Sequence, residues 1–163
     1  MTRSYVVDTN VVAVANNKNE RVSPGCKLAS IGLLASILEN GRIVVDLAGE
    51  IMDEYRRYCN ADGRPNVGDL FYRQLLTEYA GKVERIALPK LPSGEFVDFP
   101  TDHRLSTFDP SDRKFAVAAK VLSVPVCNAI DSDWWDHREA LMDNGIQVEF
   151  VCSDDKSKWF TKN

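Results

Sequence analysis

Tyr5-Val6-Val7-Asp8-Thr9-Asn10 is a short β-branched run that stops on a carboxylate, and Val11-Val12-Ala13-Val14-Ala15 follows it at once. A run of this kind predicts a buried strand feeding directly into a helix, with Asp8 at the strand's carboxyl end. In open α/β sheets that edge binds ligands, because loops and helix N-termini converge there and leave a crevice. The rest of the chain is read outward from Asp8.

Two further strands end near acids. Arg42 to Val45 is β-branched and runs into Asp46, and Val124 to Cys127 leads through Asn128-Ala129-Ile130 to Asp131-Ser132-Asp133-Trp134-Trp135. Between and after them, Lys82 to Leu88 and Ile146 to Val151 read as strands. Helices alternate with the strands. One starts at Ser23-Pro24-Gly25, with Pro in the first turn where its missing N–H is no loss, and is expected to bury Leu28, Ile31, Leu34, Ala35 and Leu38. A second covers Ala48 to Tyr58, and a third covers Gly68 to Tyr79 with Leu70, Phe71, Leu75 and Tyr79 as its apolar stripe. A fourth runs from Phe108 to Val121, with Asp109 as N-cap, Pro110 at the first helical position and Asp112 completing a capping-box-like pattern. The last spans Trp134 to Asp143. This alternation predicts a three-layer α/β/α sandwich around a mostly parallel sheet. Residues 1–152 are expected to form one domain and 153–163 a polar, frayed tail. Pro89 to Thr107 has neither period; its length marks a functional or partner-facing loop, with a short strand near Phe96-Val97.

Composition narrows the function. The chain has 163 residues, 44% hydrophobic and 27% charged, enough for one core without staples. No stretch approaches the roughly 20 apolar residues of a membrane span, and the N-terminus lacks the run of a signal peptide, so a cytoplasmic protein is expected. The four cysteines, Cys26, Cys59, Cys127 and Cys152, form no C-x-x-C pair and have only two histidines to help them, which argues against zinc; they read as buried thiols. The formal net charge of −4 excludes a general nucleic-acid coat but not a local basic rim. His103 and His137 have no evident partner in the sequence.

Acids recur at element junctions: Asp8, Glu50 or Glu54, Asp109 or Asp112, and Asp131 with Asp133. A parallel sheet gathers such positions at one edge, where several carboxylates cannot all ionise cheaply unless a divalent cation joins them. Oxygen ligands without histidine or thiolate suit Mg2+ or Mn2+. Such an ion lowers the pKa of a water and neutralises a departing oxygen, which fits phosphodiester hydrolysis. Each acid also has a plainer role: Asp8 and Asp109 as caps, Asp112 as a first-turn acid, Glu50 or Glu54 on a solvated helix face, Asp131 and Asp133 in a turn.

Val6-Val7-Asp8-Thr9-Asn10, Glu50-Ile51-Met52-Asp53-Glu54-Tyr55-Arg56, Asp112-Arg113-Lys114-Phe115-Ala116-Val117-Ala118-Ala119 and Ala129-Ile130-Asp131-Ser132-Asp133-Trp134 together resemble, in order and spacing, the four acidic motifs of PIN-domain ribonucleases. The resemblance spans almost the whole chain. It implies a PIN-like α/β/α sandwich and a metal-dependent endoribonuclease acting on single-stranded or structured RNA, often the toxin of a toxin–antitoxin pair. By position, Asp8, Glu54, Asp112 and Asp131 match the four acids that hold the ion, with Asp133 and Asn10 at flanking polar positions and Thr9 at the small hydroxyl position. Glu50 competes with Glu54 for the second acid, and the Glu-Tyr-Arg pattern favours Glu54. Ala129 stands where the family commonly carries Thr or Ser. Implied partners are the RNA, an antitoxin protein and a second copy in a homodimer, with no membrane. Arg56, Arg57, Arg113 and Lys114 flank two motifs and suit either phosphate contacts or solvated helix faces. Trp134 and Trp135 read as packing residues. Two alternatives stand beside the nuclease: a catalytically inactive PIN-like interaction module, which Ala129 favours, and a phosphoryl-accepting switch domain.

Overall fold

The computed structural model describes residues 2–60, 62–77 and 81–162. Among the described residues five strands make one sheet: β1 (Arg3–Val7), β2 (Gly41–Asp46), β3 (Val83–Ile86), β4 (Val126–Asn128) and β5 (Val148–Phe150). Their order is β3-β2-β1-β4-β5 and every pairing is parallel. The helices are α1 (Thr9–Ala15), α2 (Pro24–Asn40), α3 (Glu50–Tyr58), α4 (Val67–Leu76), α5 (Arg113–Leu122), α6 (Ser132–Asp136) and α7 (Arg138–Asp143). Val6 and Val7 on β1, and Ile43, Val44 and Val45 on β2, are consecutive buried residues. Successive strand side chains face opposite sides, so both faces of the sheet are covered and the α/β/α sandwich stands as expected. The chain winds from β1 through β2 to β3 and then returns to β4 on the other side of β1. That reversal opens a crevice between the carboxyl ends of β1 and β4.

Local signals in the sequence account for most boundaries. Ser23 Oγ accepts the Cys26 N–H at 3.2 Å, with Pro24 opening α2. Asp46, at the end of β2, is buried and accepts the N–H groups of Glu50 and Ile51 at 2.9 Å each, so it caps α3 and is fully engaged. Tertiary packing changed other details. α2 buries Cys26, Ser30, Leu34 and Ile37, while Leu28 and Ala35 face outward. Apolar residues lie all around this helix, so its periodicity does not choose the face. The helix expected from Phe108 begins as a 3-10 turn over Pro110–Asp112 before α5, and the one expected from Trp134 to Asp143 breaks at His137 into α6 and α7. Tyr79 lies outside the described residues. The Pro89 to Thr107 loop folds back on itself through a Lys90–Phe96 bridge, where the Val97 N–H donates to the Pro89 carbonyl at 2.9 Å.

Two expectations are overturned. Residues 153–162 are docked, not frayed: Phe160 bridges Val22, and Trp159 is fully buried against Trp135 and Phe150. Cys26 and Cys152 are not thiols but a disulfide with Cα atoms 4.5 Å apart, because the start of α2 lies against the segment leaving β5. A sequence separation of 126 residues hides that proximity. Cys59 and Cys127 remain thiols, and burial pushes each up to about 12.

A buried polar knot joins α1, α3 and α4. Asn16 Nδ2 donates to the Tyr58 carbonyl at 2.8 Å and to Asp69 Oδ1 at 3.0 Å, and Asn16 Oδ1 accepts the Asp69 N–H at 3.1 Å. Gly68 makes room for it, since a Cβ there would sit 2.5 Å from Asn16 Oδ1. Gly68→Ala is therefore expected to lower stability by about 1–3 kcal/mol, through strain on a hydrogen-bonded group that has nowhere to move. Gly32→Ala, in α2 with open space around it, is expected to raise stability by up to about 1 kcal/mol. Urea unfolding of the two variants measures the contrast.

Candidate metal centre

Asp8 leaves β1 as the N-cap of α1, and its amide N–H donates to the Cys127 carbonyl at 3.0 Å, which locks it beside β4. Asp131 leaves β4 as the N-cap of α6, accepting the Asp133 N–H at 2.9 Å. Asp112 comes from the 3-10 turn that opens α5. Oxygens of Asp8, Asp112 and Asp131 all lie within 4.8 Å of one another. They sit at one end of a cavity of about 410 Å³, lined also by Thr9, Asn10, Glu54, Lys18, Arg57 and Tyr58. The β1/β4 crevice thus holds the acids that the sequence placed at junctions.

Asp8 is buried and both its oxygens are engaged. Oδ1 accepts from the Asn10 backbone at 2.9 Å and from Asn10 Nδ2 at 2.7 Å, and Oδ2 accepts from Trp134 Nε1 at 2.8 Å. Trp134 is therefore more than a packing residue: its fully buried indole aims and holds the first acid. No sequence signal separated that role from packing, since a Trp N–H finds its partner only in the fold. Asn10 is saturated in turn. Its Nδ2 also donates to Asn128 Oδ1 at 2.8 Å, and its Oδ1 accepts the Ala129 and Ile130 N–H groups at 2.7 and 3.2 Å. Asn10 and Asn128 clamp the ends of β1 and β4 together, which fixes Asp8 against Asp131. Ala129 is fully buried and does not line the cavity.

Asp112 differs from its neighbours. It is 7% exposed, makes no capping hydrogen bond, and its Oδ2 is buried with no hydrogen-bond partner among the described residues. The capping role is thus absent, and Asp109 alone caps this turn, its Oδ1 accepting the Ser111 N–H at 2.9 Å. Buried polar atoms almost always have partners, and an unpartnered oxygen on a carboxylate that approaches two others within 4.8 Å fits a site built for a cation.

The remaining candidates divide. Glu54 lines the cavity, with Oε2 accepting from Thr9 Oγ1 at 2.7 Å and Oε1 from Lys114 Nζ at 2.6 Å. It stands beside the three converging acids with both oxygens occupied. Glu50 pairs with Lys90 and does not line the cavity, so of the two glutamates α3 presents Glu54 to the site. Asp133 turns away: Oδ2 accepts the Asp109 N–H at 2.8 Å and Oδ1 lies 3.0 Å from His137 Nδ1, so its oxygens are already committed. His137 has partners after all, Thr107 Oγ1 lying 3.1 Å from its Nε2. Of the flanking cations, Lys114 is buried against Glu54, and Arg113 holds the Phe108 and Ser106 carbonyls and stacks on Phe99. Neither is free for phosphate.

Burial raises the Asp8 and Asp112 carboxyls above the usual range, Asp8 to about 7 and Asp112 to about 9. For Asp8 the hydrogen bonds from Asn10 and Trp134 oppose that rise, while the charges of Asp131 and Glu54 add to it. For Asp112 the charges of Asp8 and Asp131 and a side-chain hydrogen bond with the Asp131 carboxyl, which needs one of the two protonated, reinforce it.

No family model matches this sequence, and no curated protein matches it. Among solved structures the chain is similar to that of VapBC2 from Rickettsia felis bound to a DNA fragment from their promoter. The identity is 10%, with 90% of this chain and 98% of that chain covered at a TM-score of 0.43. The fold and site themselves define the class: a doubly wound, all-parallel α/β protein with an acidic triad at its switch point. No helix among the described residues is long and apolar enough to cross a membrane.

A carboxyl whose folded pKa exceeds its unfolded value contributes stability that is present at low pH and lost as pH rises between the two values. For Asp112 that window runs from about 4 in the unfolded chain to about 9 in the folded one. Asp112→Asn removes the loss and is expected to stabilise the metal-free protein at pH 7 by up to about 4 kcal/mol, about 1.4 for each of the roughly three pH units above the unfolded value. Calorimetric melting at pH 5 and pH 7 reads it, each kcal/mol raising Tm by about 2–4 °C. The gain should shrink at the lower pH.

Proposed function

We propose that this chain is a PIN-type, divalent-metal-dependent endoribonuclease. The convergence of Asp8, Asp112 and Asp131 around an unpartnered, buried Asp112 oxygen carries the proposal. The four-motif resemblance supports it as well, since Asp8, Asp112 and Asp131 are three of the four positions that match the acids of PIN-domain ribonucleases. Asp8, Asp112 and Asp131 would hold Mg2+ or Mn2+, with Glu54 supporting from the outer side. Bound there, the ion supplies Lewis acidity that activates water and offsets charge on a phosphodiester.

The chain's own residues do the rest. Asn10 and Trp134 keep Asp8 aimed into the crevice, and the Asn10–Asn128 clamp keeps Asp131 opposite it, so the acids need no rearrangement when the ion arrives. Lys114 offsets the charge of Glu54 and limits repulsion across the site. Water attacks phosphorus in line and the P–O3′ bond breaks, leaving a 3′-hydroxyl and a 5′-phosphate. No side chain forms a covalent bond to the substrate. The same resemblance proposes a toxin's place beside a protein antitoxin, and a homodimer.

Titrating Mn2+ into the wild-type protein in a calorimeter is expected to show saturable binding, lost in Asp8→Asn and Asp112→Asn. Single-stranded RNA should be cleaved by the wild type and at least a hundredfold more slowly by either variant, on the order of the electrostatic contributions removed. A folded wild type that binds no Mn2+ at millimolar concentration would leave the interaction-module reading in its place.

Binding must also expel the protons that the raised carboxyls retain. Mn2+ affinity is therefore expected to climb from pH 5.5 to pH 8, with heats that depend on the buffer's ionisation enthalpy. A flat profile across that range would show that Asp8 and Asp112 are already ionised in the free protein.

A further inference from the structure

The cavity continues past the acids. Its other end is formed by Lys18 and Asn19, just beyond α1, and by Arg57 and Tyr58, at the end of α3. Two devices bring these side chains together. Helix α1 ends in a left-handed residue, Asn17 at φ 57°, whose N–H donates to the Val14 carbonyl while the Lys18 N–H returns to the Ala13 carbonyl, both at 3.0 Å. This reversal lays Lys18 back beside its own helix, as the 6→1 and 5→2 bonds of such a turn require. The buried Asn16 then ties the Tyr58 carbonyl to the same helix end. The ends of α1 and α3 therefore face each other across one opening.

The chemistry of this rim is distinct. Lys18 and Arg57 are exposed, and neither has a carboxylate partner among the described residues, unlike Lys114 and Arg113. Tyr58 is 41% exposed while lining the cavity. A helix dipole explains a cation in a last turn, but not an aromatic ring left open to water beside two cations. Glu54 and Arg57 lie three residues apart on α3 and so are neighbours on its surface. The rim thus begins one step along from the acids.

We infer that Lys18 and Arg57 hold a phosphate adjoining the one over the acids, and that Tyr58 carries the neighbouring base on its ring. The inference rests on the nuclease reading for the identity of the strand's reactive phosphate. Unpaired strands expose base faces for stacking, whereas bases inside a duplex are already covered by their neighbours. Cations tracking the backbone beside a stacking ring form the usual platform for a single strand. With a net charge of −4, this local pair has to do what the surface at large does not. Asn16 acts as a positioning residue for the rim.

The test is fluorescence anisotropy with a labelled, mixed-sequence, single-stranded RNA of about ten nucleotides. The 163-residue chain carrying Asp112→Asn, with cleavage slowed at least about a hundredfold, keeps the probe intact during the titration. Adding Lys18→Ala or Arg57→Ala is expected to weaken binding about fivefold to tenfold and to reduce the slope of log K against log salt by about 0.7 each. Tyr58→Ala should weaken it about tenfold with the salt slope unchanged, and Tyr58→Phe should bind like the parent. Placed in the otherwise wild-type chain, the same four substitutions should leave Mn2+ affinity and melting temperature unchanged. Parent-like binding by Arg57→Ala and Tyr58→Ala, or tighter binding of the matching duplex than of the single strand, overturns the inference. Loss of RNA affinity in the rim variants of a chain that binds no Mn2+ would sustain the rim while removing the nuclease reading. Normal Mn2+ binding and RNA cleavage with indifferent rim variants would do the reverse.

Discussion

Repulsion between carboxylates is the constraint around which this molecule is arranged. Asp8, Asp112 and Asp131 stand with oxygens within 4.8 Å in a buried crevice, an arrangement that a chain free to relax would avoid. The fold does not let them part. Asn10 and Asn128 bolt the ends of β1 and β4 together through five hydrogen bonds to side chains and backbone of the opposite segment or of Asp131, and the Trp134 indole prevents Asp8 from swinging outward. Burial and the neighbouring charges raise the Asp8 and Asp112 carboxyls, which favours their protonated forms. Stability is thereby given up at the site and recovered in the surrounding core, a familiar division between function and folding.

Polar groups around the triad fall into two kinds. Those that organise the backbone are saturated: Asp46 on the start of α3, Asp109 on the turn before α5, Asn16 and Asp69 between α1, α3 and α4. Of those that line the cavity, Asp8, Asn10 and Glu54 are also fully engaged, whereas one Asp112 oxygen and the Lys18 and Arg57 cations have no hydrogen-bond partner among the described residues. Asp46 and Asp8 both end central strands on an acid, yet only Asp8 opens onto the β1/β4 crevice.

Cation assignment shows the same logic. Arg56, Arg57, Arg113 and Lys114 are indistinguishable as helix-borne charges flanking acidic motifs. In the fold Lys114 is enclosed with Glu54, Arg113 caps carbonyls and stacks on Phe99, Arg56 pairs with Asp53, and Arg57 alone of the four lines the cavity. Which cation meets solvent depends on what packs beside each helix face, and that is a property of neighbours distant in sequence.

The alternation of strands and helices, the parallel α/β/α architecture and the position of Asp8 just past a strand end were legible in the sequence, because periodicity, capping and spacing act over a few residues. The preference for Glu54 over Glu50 and the grouping of Asp112 and Asp131 with Asp8 came from the four-motif resemblance instead. Tertiary structure decided the rest: the buried face of α2, the break at His137, the Trp134 bond to Asp8, the diversion of Asp133 to Asp109 and His137, the docked Trp159 tail and the Cys26–Cys152 disulfide. Each of these depends on atoms brought together from remote parts of the chain by a parallel sheet, whose crossovers place junctions side by side without any record of it in local sequence.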